Sequence, residues 1–196
     1  MRVFITVLVL IFSLQSWTKA DDIRDFEIEG MSVGDSVLDY KSLEYVQNIL
    51  DDENTFYYKS GKYAIISLGI YSDLFEGLSA TIKPKDKKYI IHGIEGRLFF
   101  PNDMEGCKNK KDEIANDILS VFPNKSYKNF SSAHSYDKTG KSFYYASLMK
   151  LTNGNIELYC FDWSNEITES VGFPDELKLI ITSLEYRNWI NNEAYD

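Results

Sequence analysis

Two β-prone, aromatic-rich runs, Ser142-Phe143-Tyr144-Tyr145-Ala146-Ser147-Leu148-Met149 and Ile156-Glu157-Leu158-Tyr159-Cys160-Phe161, flank the segment Thr152-Asn153-Gly154-Asn155. Asn-Gly is the strongest short-range hairpin signal, because both residues tolerate the left-handed backbone that a two-residue turn demands. An antiparallel pair is therefore expected here, and the rest of the fold has to be built around it. The stretch 62–68 (Lys-Tyr-Ala-Ile-Ile-Ser-Leu) is another short apolar strand, and residues 78–82 and 89–100, on either side of Pro84-Lys85-Asp86, read as a second hairpin. Gly93 and Gly96 in its long second arm imply a bulge or a close backbone contact.

Helical spacing occupies the intervals. Ile114, Ile118, Leu119 and Phe122 form one stripe of a helix over 107–122, which Pro123 ends. Leu43, Val46, Ile49 and Leu50 define one broken helix or two short ones over 36–50, with Ser36 and Ser42 as caps. Residues 175–191, entered through Pro174, carry Leu177, Ile180, Ile181, Leu184 and Trp189 and read as a final helix, while Phe26-Glu27-Ile28-Glu29 is a short strand or an ordered lead-in. Strands joined by tight turns pair antiparallel, and helices between the hairpins share a face. The expectation is α+β: an antiparallel sheet built from hairpins with about three helices packed mainly on one face. No convincing internal repeat is visible, although residues 30–50 and 107–122 hold similar places before their strand groups.

The first 20 residues have the outline of a secretory signal: one charge at Arg2, an apolar run from Val3 to Phe12, polar residues from Ser13, and Ala20 at the expected cleavage point, leaving residues 21–196 as one domain. The apolar run is about half of the roughly 20 residues needed to span a bilayer. Cleavage removes Arg2 and Lys19 and no acid, so 19 basic and 30 acidic residues remain and the formal charge moves from −9 to −11. A surface of that sign repels nucleic-acid phosphate and anionic lipid, so nucleic acid is not an expected partner. Export also changes the meaning of Cys107 and Cys160. Outside the cytoplasm an even cysteine count favours a disulfide, and a separation of 53 residues is not the C-x-x-C spacing of a redox pair.

Gly34-Asp35-Ser36-Val37 resembles the nucleophile block of the SGNH, or GDSL-like, hydrolases, which implies a Ser36 that attacks an ester with a histidine as base. That family's pattern has an apolar strand running into the serine and a C-terminal Asp-x-x-His. Here the run-in Glu27-Ile28-Glu29-Gly30-Met31-Ser32-Val33 is polar and glycine-interrupted, and His92 and His134 are preceded three places earlier by Tyr89 and Ser131. A serine without a base is a weak nucleophile, so helix capping is the preferred role of Asp35 and Ser36 and no catalytic residue is assigned. Two isolated histidines and a bridged cysteine pair do not make a zinc set, no acidic loop has calcium-ligand spacing, and no glycine-rich phosphate loop is present, so neither metal nor cofactor is expected.

Aromatics are the remaining signal: 14 Tyr, 12 Phe and 3 Trp. Successive strand residues point to opposite faces, so part of Phe143-Tyr144-Tyr145 and of Tyr159-Cys160-Phe161-Asp162-Trp163 must face outward. Tyr144, Tyr159 and Trp163 are the candidate binding aromatics, since exposed Tyr and Trp suit protein and carbohydrate-like ligands. Asn124-Lys125-Ser126 and Asn129-Phe130-Ser131 are glycosylation acceptors in a host that glycosylates exported chains.

The stretch from Phe26 through Gly30-Met31-Ser32-Val33-Gly34-Asp35-Ser36 to Tyr40 resembles the opening of a family of secreted bacterial proteins without an assigned activity. Its Gly-Met-Ser turn is also similar to the one that opens the first helix of small envelope-assembly proteins of the outer-membrane lipoprotein A type, although the lipobox cysteine of that group is missing. The expected role is that of an exported, periplasmic or secreted binding or interaction domain of the cell envelope that takes a protein or a small ligand. A secreted hydrolase and a secreted inhibitor or effector are the alternatives.

Overall fold

The computed structural model describes residues 22–69 and 74–195. The expected leader and its cleavage point lie outside the described residues. Eight strands form one antiparallel sheet: β1 (Phe56–Tyr57), β2 (Ala64–Ser67), β3 (Gly77–Ile82), β4 (Ile91–Phe99), β5 (Lys128–Ala133), β6 (Phe143–Leu151), β7 (Gly154–Asp162) and β8 (Glu176–Ser183). Their spatial order is β1-β2-β3-β4-β8-β7-β6-β5. Four α-helices accompany them: α1 (Leu43–Leu50) before the first four strands, α2 (Met104–Val121) before the second four, α3 (Asn165–Val171) after β7 and α4 (Leu184–Asn192) after β8. The fold is α+β. Each half is a helix followed by four strands, and the halves meet where β4 pairs with β8.

One face of the sheet carries the main core. Ile94, Gly96 and Leu98 on β4 stand opposite Ile181, Leu179 and Leu177 on β8, which in turn oppose Ile156, Leu158 and Cys160 on β7. Onto this layer α1 places Val46 and α2 places Ile114, Ala115 and Ile118. Capping fixes where the helices start: Ser42 accepts from the Tyr45 amide at 3.1 Å, and Asp103 accepts from the Gly106 amide at 2.9 Å. Cys107 and Cys160, both fully buried, are joined with Cα atoms 6.0 Å apart, so the bridge fastens the first turn of α2 to β7 as the sequence implies. Gly96 is required by packing, since a Cβ there would lie 2.7 Å from the Phe75 ring. The register of β3 against β4 shifts between Thr81 and Ile82, the irregularity that the glycine-bearing arm suggests.

Two sequence expectations are corrected. Residues 176–183 are not helical: Leu177, Leu179 and Ile181 alternate into the core with period two, the neighbouring Ile180, Thr182 and Ser183 complete a β-prone run, and the helix begins only at Leu184, where Ser183 caps it by accepting from the Tyr186 amide. Leu177, Ile180, Ile181 and Leu184 fit a helical stripe by spacing alone, and the demand for a strand between β4 and β7 overrides it. The hairpin of β6 and β7 forms, but Leu151 pairs with Gly154, so Thr152 and Asn153 make the turn in place of Asn-Gly. Gly154 is needed there for its missing side chain, because a Cβ would collide with the Thr182 carbonyl and with Ile23. Asn153 accepts from the Ile23 amide at 2.9 Å and donates to Asp22 at 2.6 Å, so the turn anchors the N-terminal segment. Residues 26–29 take the second of their two expected forms, an ordered lead-in: they follow a short 3₁₀ turn, Ile23–Asp25, and make a single bridge between Ile28 and Met31.

The helical layer lies mainly on the core face, with α4 on the other. There Tyr186 and Trp189 pack with Tyr58, Tyr63 and Ala194 in a second, smaller cluster. No helix among the described residues is long and apolar enough to cross a membrane.

Candidate functional site

The face of the sheet that bears α4 is polar and aromatic where the other is aliphatic. Period-two geometry sends Glu157, Tyr159 and Phe161 from β7 to this side while Leu158 and Cys160 enter the core. Trp163 continues the row. The rings of Tyr159 and Phe161 stack with centroids 5.5 Å apart and planes 14° apart, and those of Phe161 and Trp163 with 5.9 Å and 13°. Tyr144 on β6 stands 5.9 Å from Tyr159, and Phe130 on β5 lies 6.1 Å from Tyr144. The candidate aromatics Tyr144, Tyr159 and Trp163 are thus on one surface.

The structure adds residues that spacing alone does not select. Phe161 sits between Tyr159 and Trp163, a position the alternation of the strand implies. His134 lies 4.3 Å from Trp163, and Tyr136 and Phe173 enclose that ring at 6.4 and 5.0 Å. These three come from loops distant in sequence, and no local pattern announces them.

Charged side chains alternate with the rings. Tyr159 donates its hydroxyl to Glu157 Oε2 at 2.5 Å, and Arg187 of α4 pairs with Glu157 Oε1 at 3.0 Å. Burial, helped by the adjoining carboxylate, pushes the Tyr159 phenol well above its ordinary value. Across the β4–β8 seam, Glu95 is paired with Arg97 at 2.7 Å and with Lys178 at 3.3 Å, and Lys178 also reaches Glu176 at 3.3 Å. Burial raises the Glu176 carboxyl, an effect opposed by Lys178 and Arg97. The Lys178 ammonium lies 5.6 Å from the Phe161 ring centre. Three acids, Glu95, Glu157 and Glu176, face three bases, Arg97, Lys178 and Arg187, so this patch carries no formal net charge inside a strongly acidic chain.

Between α4 and the sheet is a cavity of about 290 Å³, lined by Tyr58, Ile65, Ile180, Tyr186 and Ile190, with Tyr159 and Phe161 of β7 also in its wall. Its floor follows the register across three strands: Thr81 on β3 opposite Gly93 on β4, and Gly93 opposite Thr182 on β8. A Cβ at Gly93 would lie 3.3 Å from both the Ile181 carbonyl and Thr81 Oγ1, so the strands pack closely there. Thr182 is 3% exposed, and its hydroxyl has no hydrogen-bond partner among the described residues.

The other sequence candidates lie elsewhere. Ser36 accepts from the Leu38 amide at 3.1 Å and donates to the Lys88 carbonyl at 2.6 Å, capping the 3₁₀ turn Val37–Asp39. Neither histidine is its hydrogen-bond partner: His92 Nδ1 faces Glu185 at 3.5 Å, and His134 Nδ1 accepts from the Tyr136 amide. Among the described residues no group of three His, Cys, Asp or Glu side chains is placed to hold a metal ion. Asn124 and Asn129 of the two sequons are exposed. Comparisons with protein-family models, with curated proteins and with solved structures find no match for this chain.

Proposed function

We propose that this chain is an exported binding domain that holds its ligand on the aromatic face of the sheet and performs no chemistry on it. The observation that carries the reading is the unbroken row Tyr159, Phe161 and Trp163, extended sideways by Tyr144, on the side of the sheet away from the main core. Such a surface supplies large contact area from stiff side chains and provides polar handles at its edges. Export is supported by the signal-like leader and by the buried disulfide, which persists in an oxidising compartment. A binding role is supported over hydrolysis because Ser36 is engaged in capping and because Glu157 and Glu95 are each held by cations. The test is capture from envelope extract and culture medium with residues 21–196 as bait, run in parallel with Trp163→Ala, with cross-linking and mass spectrometry of proteins and small molecules. A species retained by the wild type and lost from a folded Trp163→Ala variant supports the assignment. Equal retention by both rejects it.

A further inference from the structure

The sheet has two edges, and they are finished differently. β1, at one end of the strand order, is only two residues long, one of the ordinary ways of blunting an edge. β5, at the other end, runs from Lys128 to Ala133 with every residue exposed, no proline and no register shift against β6. Which of its backbone groups are open follows from the ladder. The His134 amide donates to the Ser142 carbonyl at 2.8 Å, immediately beyond the pair Ala133 and Phe143, and in an antiparallel ladder alternate residues bond to the partner strand. Ser132, Phe130 and Lys128 therefore bond to β6, while Asn129, Ser131 and Ala133 point their N–H and C=O groups away from the sheet.

The surroundings of this edge are basic, in a chain that is otherwise strongly acidic. Open hollows of about 430 and 390 Å³ lie between β5 and α2, and one of about 370 Å³ lies at the Lys128 end of the strand. Their walls hold Lys108, Lys111, Lys125, Lys128 and Lys150 against one acid, Asp112, which Lys111 engages at 2.7 Å. The lysines stand on both faces of the edge. Lys108 lies over the Tyr145 ring on the α2 side, whereas Lys128 and Lys150 share the strand parity of Phe130 and Tyr144, whose rings meet on the aromatic side. A second copy pairing β5 with β5 would bring these lysines against their own kind, and an acidic strand would meet the opposite charge on either face. We infer that the open edge of β5 receives an extended, acidic segment of a partner protein, which adds a further strand to the sheet. Main-chain hydrogen bonds to Asn129, Ser131 and Ala133 supply the pairing, and the carboxylates of the segment, alternating between the two faces, meet the lysines. The surface is distinct from the row that ends at Trp163 and does not depend on it.

The experiment exposes residues 21–196, with the disulfide intact and no sugar on Asn129, to an array of decapeptides in which Glu or Asp fills half the positions and Thr, Val, Ser or Tyr the rest, beside the same array with Lys in place of each acid. The tightest acidic peptide is then titrated by fluorescence anisotropy against the wild type and against variants verified as folded by their melting curves. Acidic peptides should be retained over their lysine counterparts. Their affinity should fall tenfold or more with Ser131→Pro, which removes an outward N–H and spares the β5–β6 ladder, and with Lys128→Glu/Lys150→Glu, at two exposed positions. N-methylation of one alternate set of peptide residues should abolish binding and methylation of the other set should not, because only every second amide of an added strand faces β5. Binding that survives Ser131→Pro and both methylations is charge attraction alone and overturns strand addition. An array in which no acidic peptide is preferred to its lysine analogue overturns the assignment. So does sedimentation of the free chain as a dimer that Ser131→Pro dissociates, which makes a second copy the occupant. Trp163→Ala should leave the peptide affinity unchanged, and a loss there puts the peptide on the aromatic face and overturns the edge site.

Discussion

Reducing the Cys107–Cys160 bridge should lower stability by about 4 kcal/mol, since in the chain-entropy account a cross-link acts by restricting the unfolded chain and this one spans 53 residues. For a protein of this length each kcal/mol shifts the melting temperature by about 2–4 °C, so the drop should be roughly 8–16 °C. Two perturbations separate the contributions. Dithiothreitol keeps both sulfur atoms in the core and removes only the cross-link, whereas Cys107→Ala/Cys160→Ala also empties two fully buried positions and should cost about 1–2 kcal/mol more. Urea unfolding of the three forms, followed by circular dichroism, gives the free energies and their slopes. The reduced chain should also show a steeper slope, because its unfolded state exposes more surface. A reduced form within about 1 kcal/mol of the oxidised one, with an unchanged slope, would refute the loop argument.

Other outcomes follow from named contacts. Gly96→Ala should cost about 1–3 kcal/mol by driving a methyl group into Phe75, and Phe75→Leu should recover part of that loss in a double-variant urea titration. Ser36→Ala should cost about 1 kcal/mol through loss of the cap and change no turnover of p-nitrophenyl esters; ester hydrolysis lost with the hydroxyl would revive the hydrolase alternative. His92 and His134 are both held below the ordinary value of 6.5, chiefly by burial, with Lys83 adding to the effect at His92. The unfolded chain therefore takes up protons first as the pH falls through 6.5, and stability declines from there toward the folded-state values. The His92→Gln/His134→Gln variant should show a flatter urea midpoint than the wild type between pH 7.5 and 5.5, and an identical slope would contradict the burial argument.

Much of the fold is written in local pattern. The hairpin β3–β4, the hairpin β6–β7, the stop of α2 before Pro123 and the cysteine pair each follow from residues close together in sequence or from an even count in an exported chain, whereas the first turn of α2, from Met104 with Asp103 as cap, precedes the apolar stripe and is not given by it. β8 is not legible in this way, because Leu177, Ile180, Ile181 and Leu184 satisfy a helical period as well as a strand, and only its place between β4 and β7 decides. β5 was missed for a different reason: all six of its residues are exposed, so it lacks the apolar alternation by which strands are recognised. For the site, the alternation along β7 gives Tyr159 and Trp163 directly, and Tyr144 belongs to the paired strand. The cation partners Arg187, Arg97 and Lys178 and the enclosing His134 and Phe173 depend on long-range pairing, and the cavity depends on α4 lying across β4, β7 and β8, which a mistaken helix over 175–191 would not have produced.

The strand order reads outward from the β4–β8 seam as two four-strand halves, and the disulfide closes a loop wholly within the second. Within each half, neighbouring strands are mostly near in sequence, but the seam joins Gly93 to Thr182, 89 residues further along (182 − 93). Forming it requires closure of a long loop, the slow kind of step in folding. The cavity under α4 lies on that seam, with Gly93 and Thr182 among its lining residues, so it exists only once the two halves are joined, and the hydrogen bond from the Ile23 amide to Asn153 ties the N-terminal turn to the β6–β7 turn of the second half.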